Sequence, residues 1–239
     1  VKERLNNGKY ETIFDFFTRM DDKFINKRQV EFLAMAGVFD GVFKDRSAIF
    51  YSATKLVALA QESQKDRESS QQGLFGNELN SQNFANFLKG SIPWSNRELL
   101  INEYLSLSFF TSENPLVEKR PFFKKFNLSN SLSLENNKVN GKIFELIAFL
   151  VKVEEKVINN KRVLDLLFID EWSSFNLFVF VDASELVEKT LIAGESYVVT
   201  VVNSIDTDRR MRLRLKNIKE INSFIGFSSN KLKIYLKNI

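Results

Sequence analysis

The spacing of apolar residues changes from a helical to a strand period near residue 138, and this change divides the chain. Before it, apolar residues recur three or four positions apart. After it, short runs rich in Val, Ile, Leu and Phe are bounded by turn residues. These patterns are typical of amphipathic helices and of strands. We therefore predict an α+β chain of two domains: a helical domain over residues 1–120, a polar linker over 121–138 and a β-domain over 139–220.

Polar residues at capping positions indicate where the first helices begin. Asn26 is followed three residues later by Gln29, and Ser95 by Glu98, so each pair can form a capping box. Gly37 is placed to end the helix that Asn26 begins, because glycine adopts the left-handed conformation found at many helix ends. Further helices are predicted to begin after Thr12 and Asp45.

The absence of cysteine and histidine excludes several kinds of site. It excludes disulfides, zinc sites built on those ligands, cysteine nucleophiles and histidine general bases. Asp206-Thr207-Asp208 has the spacing of a carboxylate pair, but it lies between two predicted strands and is interpreted as a turn. We predict no catalytic residue and no metal site in this chain. The apolar runs are too short to span a bilayer, and we expect a cytoplasmic protein without membrane contact.

The β-domain is predicted to contain three strands, a short helix beginning at Asp182, and two more strands. This order is typical of a five-stranded OB-fold barrel. OB barrels bind single strands through exposed aromatic residues and basic side chains. The candidate contacts are Lys152, Lys161, Arg162, Trp172, Phe175, Arg209, Arg210, Arg212, Arg214 and Lys216, with Phe168, Phe178 and Tyr197 as further aromatic candidates. The alternative is that these cations are ordinary solvent-facing strand residues and that the aromatic residues belong to the barrel core.

A polar run over residues 61–82 interrupts the helical half and is predicted to be a flexible loop. Within it, Leu74 and Phe75 are two adjacent large apolar residues. Such a pair either packs back onto its own domain or binds a partner. We interpret it as a partner peptide in which Gln71 bonds at a pocket rim while Leu74 and Phe75 fill the pocket.

The stretch Gln71-Gln72-Gly73-Leu74-Phe75 resembles the internal clamp-binding motif of bacterial DNA polymerase III alpha subunits. Residues 16–40 and 93–116 resemble two other blocks of that family, one on each side of the motif. Asn114 stands where the second block usually has histidine. Three blocks in the family's order carry the resemblance.

The resemblance implies a helical clamp-binding domain followed by an OB domain, in the C-terminal region of a DNA-directed DNA polymerase. The parent polymerase would use Mg²⁺ at aspartates upstream of this chain, and the fragment itself would need no cofactor. The implied partners are the beta sliding clamp, single-stranded template DNA and the clamp-loader subunit tau. Residues 221–239 would begin the tau-binding module, most of which would lie beyond the chain.

In that family the clamp-binding domain also contains helix-hairpin-helix units that bind DNA. The first hairpin is expected upstream of Val1, and residues 21–28 correspond at best to a degenerate second one. Lys23, Lys27 and Arg28 are candidates for phosphate contact near a helix N-terminus. For the isolated fragment we favour the alternative that these are solvated surface charges.

A different function is also compatible with the sequence. A helical domain and an OB barrel can form a stand-alone single-stranded nucleic-acid-binding module, in which case residues 71–75 are incidental. Loss of clamp binding on substitution of Leu74 and Phe75 distinguishes the two.

Overall fold

A computed structural model describes residues 2–69, 88, 92–180, 191–205 and 211–221. The chain divides into two compact units, residues 1–111 and 112–239. The first is helical and the second contains a five-stranded antiparallel sheet, so the predicted α+β architecture is confirmed.

The first unit is a group of helices packed around one apolar core. Phe17, Val30, Ile49 and Leu56 are fully buried in that core. The described helices are α1 (Lys2–Asn7), α2 (Ile13–Arg19), a 3-10 turn (Asp22–Phe24), α3 (Lys27–Met35), α4 (Arg46–Tyr51), α5 (Ala53–Ser69) and α6 (Asn96–Leu107).

The capping residues determine the helix ends as predicted. The Gln29 backbone N–H donates to Asn26 Oδ1 at 3.0 Å, and the Asn26 N–H donates to Gln29 Oε1 at 2.9 Å, which completes the box at the start of α3. Ser95 and Glu98 form the same box at α6. Gly37 follows α3 with φ +71°, a left-handed conformation that costs glycine little.

Helix α5 extends into the polar run that was predicted to be a loop from residue 61. It continues to Ser69, so the prediction is wrong for residues 61–69. The segment is rich in Gln, Glu, Lys and Arg, which are good helix formers even without an apolar face. Arg67 also donates one hydrogen bond to the carbonyl of Arg19 and one to that of Met20, each at 3.0 Å, which holds the helix against the end of α2.

The second unit contains short helices followed by the sheet. Its described elements are a 3-10 turn (Val117–Lys119), α7 (Arg120–Lys125), α8 (Ser131–Asn136), β1 (Ile143–Ile158), β2 (Lys161–Ile169), β3 (Ser174–Phe180), β4 (Ser196–Ile205) and β5 (Met211–Glu220). The helix predicted from Asp182 lies outside the described residues, as does the module predicted over 222–239.

The sheet has the strand order β3-β2-β1-β4-β5, and every neighbouring pair is antiparallel. The long strand β1 pairs with β4 through residues 143–149 and with β2 through 149–158. The two outermost strands, β3 and β5, approach each other to within 8 Å between Cα atoms. This order, with β3 returning to β5, is that of an OB-like barrel.

Residues 121–138, predicted to be a linker, pack onto the sheet instead. The buried carboxylate of Asp170, which follows β2, accepts hydrogen bonds from the Ser131 N–H and hydroxyl, both at 2.6 Å. Leu134 of α8 is buried in the barrel core. The segment therefore belongs to the second unit. Several of its polar residues are capping or bonding groups, as Asn130 is at the start of α8.

No helix in the described part of the chain is long and apolar enough to cross a membrane.

Candidate nucleic-acid interface

The outer face of β5 carries a row of cations. Arg212, Arg214 and Lys216 are exposed, whereas Leu213 and Leu215 between them are partly buried against the barrel core. Polar and apolar side chains therefore alternate along this strand, as expected where one face of a strand packs on the core. Lys216 sits at a bulge, because Leu215 pairs with Val201 and the next paired residue of β5 lies opposite Thr200. Arg209 and Arg210 lie outside the described residues.

The β1–β2 hairpin carries three further candidate cations, Lys152, Lys161 and Arg162. Its turn is formed by Asn159 and Asn160, both in the left-handed conformation with φ +51° and +58°. Such a turn matches the twist of the two strands it connects, so the hairpin extends β1 and β2 as a regular ribbon.

Most of the charge on this hairpin is neutralised by neighbouring carboxylates. Lys152 Nζ lies 2.7 Å from Glu154, and Arg162 Nη2 lies 3.0 Å from Glu155. Hydrogen bonds from Lys152 hold the pKa of Glu154 below its usual value, and those from Arg162 lower the pKa of Glu155. These carboxylates therefore keep their negative charge near neutral pH.

A fourth cation on the hairpin, Lys156, is also paired. Its Nζ lies 2.6 Å from Asp165, and the hydrogen bond to Asp165 raises the pKa of Lys156. Lys161 is exposed, and no ion pair to it occurs within the described residues. The hairpin thus presents alternating charges rather than a cationic surface.

The aromatic candidates divide into exposed and buried groups. Trp172 is 48% exposed and packs edge-on against Phe123, with ring centroids 6.2 Å apart. Phe175 is only 8% exposed and stacks on Phe168 inside the barrel. The prediction of Phe175 as a nucleic-acid contact is therefore wrong, since its side chain faces the core. Phe168 and Tyr197 are also buried.

Strand β3 carries two exposed aromatic residues, Phe178 and Phe180. Phe178 is 46% exposed and Phe180 is 48% exposed. Phe180 was not among the sequence candidates. The signal was present in the alternation of β3, because Phe175, Leu177 and Val179 face the core and their neighbours must face outward.

In the helical unit, Lys23, Lys27 and Arg28 are all exposed around the start of α3. Lys27 makes a surface ion pair with Glu31 at 3.5 Å. The Arg28 guanidinium lies 5.6 Å from the Phe32 ring centroid, within cation–π range. The three side chains are therefore accessible to a nucleic-acid backbone.

The clamp-binding candidates Gln71, Leu74 and Phe75 lie outside the described residues. Within the described ranges, no group of three or more acidic side chains is arranged to hold a metal ion.

A helical unit followed by an OB-like barrel with cations along one outer strand is an architecture of nucleic-acid-binding proteins. Comparison with known families supports this class, because residues 1–49 match the helix-hairpin-helix motif.

The individual relatives are DNA polymerase III alpha subunits. The chain is 28% identical to that of Rickettsia felis over 240 residues and 30% identical to that of Borreliella burgdorferi over 250 residues. These alignments cover 99% and 97% of this chain but only 19% and 21% of the relatives. The alpha subunit of Caulobacter vibrioides is 36% identical over 118 residues, 49% of this chain and 10% of that protein. The chain is thus homologous to the C-terminal region of DNA polymerase III alpha subunits and spans about a fifth of their length.

Proposed function

We propose that this chain is part of a DNA polymerase III alpha subunit and acts in bacterial DNA replication in the cytoplasm. The observation that carries the proposal is the alignment with relatives of that name over 97–99% of the chain, through both structural units. The parent protein would be a DNA-directed DNA polymerase, and this region would contribute tethering and DNA handling rather than catalysis.

The tethering role is assigned to Gln71, Leu74 and Phe75, as a peptide that docks in a pocket of the beta sliding clamp. Burial of the two apolar side chains would supply about 3–6 kcal/mol before ordering costs are subtracted. A contact of this strength exchanges readily. Such a contact is nevertheless effective for a polymerase that also holds its primer, because tethering raises the effective concentration of the polymerase at the primer end.

DNA contact is assigned to both units. In the helical unit, Lys23, Lys27 and Arg28 would contact backbone phosphates, which fits the match of residues 1–49 to the helix-hairpin-helix motif. In the second unit, the exposed row of Arg212, Arg214 and Lys216 would contact single-stranded template. Residues 221–239 would lead into the module that binds the clamp-loader subunit tau.

The proposal is tested by titrating the chain against a bacterial sliding clamp by isothermal calorimetry. We expect micromolar or tighter binding that is lost in the double variant Leu74→Ala, Phe75→Ala. A matched control removes an exposed leucine and an exposed phenylalanine elsewhere in the helical unit, as Leu105→Ala, Phe109→Ala. The control variant should bind the clamp as the unaltered chain does.

Clamp binding that survives substitution of Leu74 and Phe75 would contradict the assigned contact. No binding to any cognate clamp would contradict the tethering role and leave the stand-alone nucleic-acid-binding module as the function of the OB-like barrel.

A further inference from the structure

The sequence contains two asparagines that are followed directly by glycine, Asn7-Gly8 and Asn140-Gly141. Such an asparagine is chemically labile, because the backbone nitrogen of the glycine can attack the side-chain amide and no side chain on the glycine hinders it. All four residues are exposed, and a Cβ built on either glycine would meet no atom within 4 Å. Exposure therefore does not distinguish the two pairs, and the hydrogen bonds that hold each of them decide which one reacts.

The Asn140-Gly141 pair is fixed to the barrel. The Gly141 N–H donates to the carbonyl of Asn203 at 2.8 Å, and Asn140 Oδ1 accepts from the Ile205 N–H at 3.1 Å. Asn203 is buried in β4, and its own N–H donates to the carbonyl of Lys142 at 3.0 Å. Release of the Gly141 nitrogen therefore requires β4 to separate from this turn.

The Asn7-Gly8 pair lies at the end of α1, and none of the six residues of that helix is buried. The Gly8 N–H donates to the carbonyl of Arg4 at 3.1 Å, and Asn7 Nδ2 donates to Glu3 Oε1 at 3.0 Å. Both bonds belong to the last turn of the helix, and helix ends fray. Local opening costs little free energy where few apolar contacts are buried. Fraying of one turn thus releases both reacting groups.

Arg19 of α2 limits how far α1 opens. Its guanidinium donates to both carboxylate oxygens of Glu3 at 2.8 Å and to the carbonyl of Gly8 at 3.1 Å. These bonds hold the helix against α2, but none of them engages the nitrogen of Gly8. The contacts of Arg19 should therefore slow the reaction of Asn7 without preventing it.

We propose that Asn7 is a site of spontaneous deamidation, at which the Gly8 nitrogen displaces ammonia and water hydrolyses the resulting succinimide to aspartate or isoaspartate. In the first step, the bond from the Gly8 nitrogen to Asn7 Cγ forms and the bond from Cγ to Nδ2 breaks. The proton of the Gly8 N–H leaves with the ammonia. In the second step, water adds to one of the two ring carbonyls and opens the ring. No oxidant or reductant takes part.

The product changes the contact between Asn7 and Glu3 from attractive to repulsive. The amide that donated to Glu3 is replaced by a carboxylate, and like charges four residues apart on a helix destabilise it. Glu3 is also the residue through which Arg19 holds α1. Deamidation would therefore loosen α1, which lies within residues 1–49, the part of the chain that matches the helix-hairpin-helix motif.

The site is tested by incubating the full chain in mildly alkaline buffer and quantifying its tryptic peptides by mass spectrometry. We expect Asn7 to be converted at least about tenfold faster than Asn140, because a helix end opens more readily than a barrel strand. In urea the two rates should become similar. Equal rates in the folded chain would overturn the proposal, as would a tenfold difference that persists in urea.

The part played by opening of α1 is tested with Arg19→Gln. This variant should accelerate conversion of Asn7 and leave the rate at Asn140 unchanged. Arg28→Gln is the matched control, because the Arg28 guanidinium lies over the Phe32 ring of its own helix, and it should change neither rate. A rate at Asn7 that is the same in both variants would show that release of α1 does not govern the reaction.

The effect of the product is tested with Asn7→Asp, which introduces the same charge. Its melting temperature at neutral pH should fall by about 1–4 °C relative to the unaltered chain. The same substitution should have almost no effect in a Glu3→Gln background, because the like charge has been removed. An equal fall in both backgrounds would overturn the repulsion assigned to Glu3.

Discussion

The guanidinium of Arg46 reaches the buried carboxylate of Glu103, with Nη1 3.3 Å from Oε1. Arg46 starts α4 and Glu103 lies in α6, so the pair joins elements far apart in sequence. Glu103 also accepts hydrogen bonds from the Thr111 N–H at 2.9 Å and from the Thr111 hydroxyl. Asp40 bonds the other side of the guanidinium at 2.6 Å. A buried charge is tolerated here because each of its oxygen atoms is hydrogen-bonded.

Replacing Glu103 by alanine should destabilise the helical unit. We expect the free energy of unfolding to fall by about 2–4 kcal/mol. This loss is slightly smaller than when the remaining partner of a buried ion pair has no counter-charge, because Asp40 still pairs with Arg46. Urea denaturation measures the change. Glu31→Ala, which removes only a surface partner of Lys27, should cost less than about 1 kcal/mol. Similar losses in the two variants would show that burial of Glu103 is not what matters.

Gly37→Ala should also destabilise the helical unit. Gly37 has φ +71°, and a Cβ at this position would overlap the Arg46 guanidinium. The left-handed conformation alone costs a non-glycine residue about 1–2 kcal/mol, to which displacement of Arg46 is added. Thermal unfolding checks this expectation. Gly41→Ala is the matched control, because no atom lies within 4 Å of a Cβ built there, and its melting temperature should not fall.

The packing of residues 121–138 onto the sheet predicts resistance to proteases. Trypsin should cleave the unaltered chain slowly after Lys124 and Lys125. If this segment were a flexible linker, these sites would be among the first to be cut. Asp170→Ala removes the acceptor that holds Ser131, Trp172 and Ser173 by their N–H groups, and cleavage should then accelerate. Rapid cleavage of the unaltered chain in this segment would contradict the structure.

The ion pair between Glu3 and Arg19 should make the free energy of unfolding of the helical unit decrease in acid. The hydrogen bond from Arg19 lowers the pKa of Glu3 from 4.5 to about 2. Because the folded-state pKa is the lower one, this stabilisation is complete above about pH 4.5 and is lost as the pH falls towards 2. Unfolding free energies measured between these pH values should decline less steeply in Glu3→Gln. Parallel pH profiles for the two proteins would refute the assignment.

Features that depend on residues close in sequence were predictable. The capping boxes at Asn26 and Ser95 require only residues three positions apart, and both occur as expected. The outward cations of β5 follow from the two-residue period of a strand. The turn between β1 and β2 depends only on the adjacent residues Asn159 and Asn160, because Asn tolerates the left-handed conformation.

Features that depend on contacts between distant residues were not predictable. Whether Arg162 is available for DNA depends on its pairing with Glu155 across the hairpin, which is set by strand register. Paired residues of neighbouring strands lie on the same face of a sheet. Phe175 is paired with Phe168, which faces the core, whereas Phe178 is paired with Asp165 on the outer face. The polar composition of 121–138 did not reveal that Asp170, farther along the chain, bonds Ser131.

Helix α5 also has a mechanical consequence. Its first half is anchored by Leu56 and Ala60 in the core, and near its far end Arg67 bonds the carbonyls that end α2. A pull on the chain beyond Ser69 would therefore be borne by a stiff rod with two attachments rather than by a slack segment. The force would be transmitted to the folded unit next to the 3-10 turn that contains Lys23. The end of α5 that bears the force therefore also supports the candidate DNA contacts of this unit.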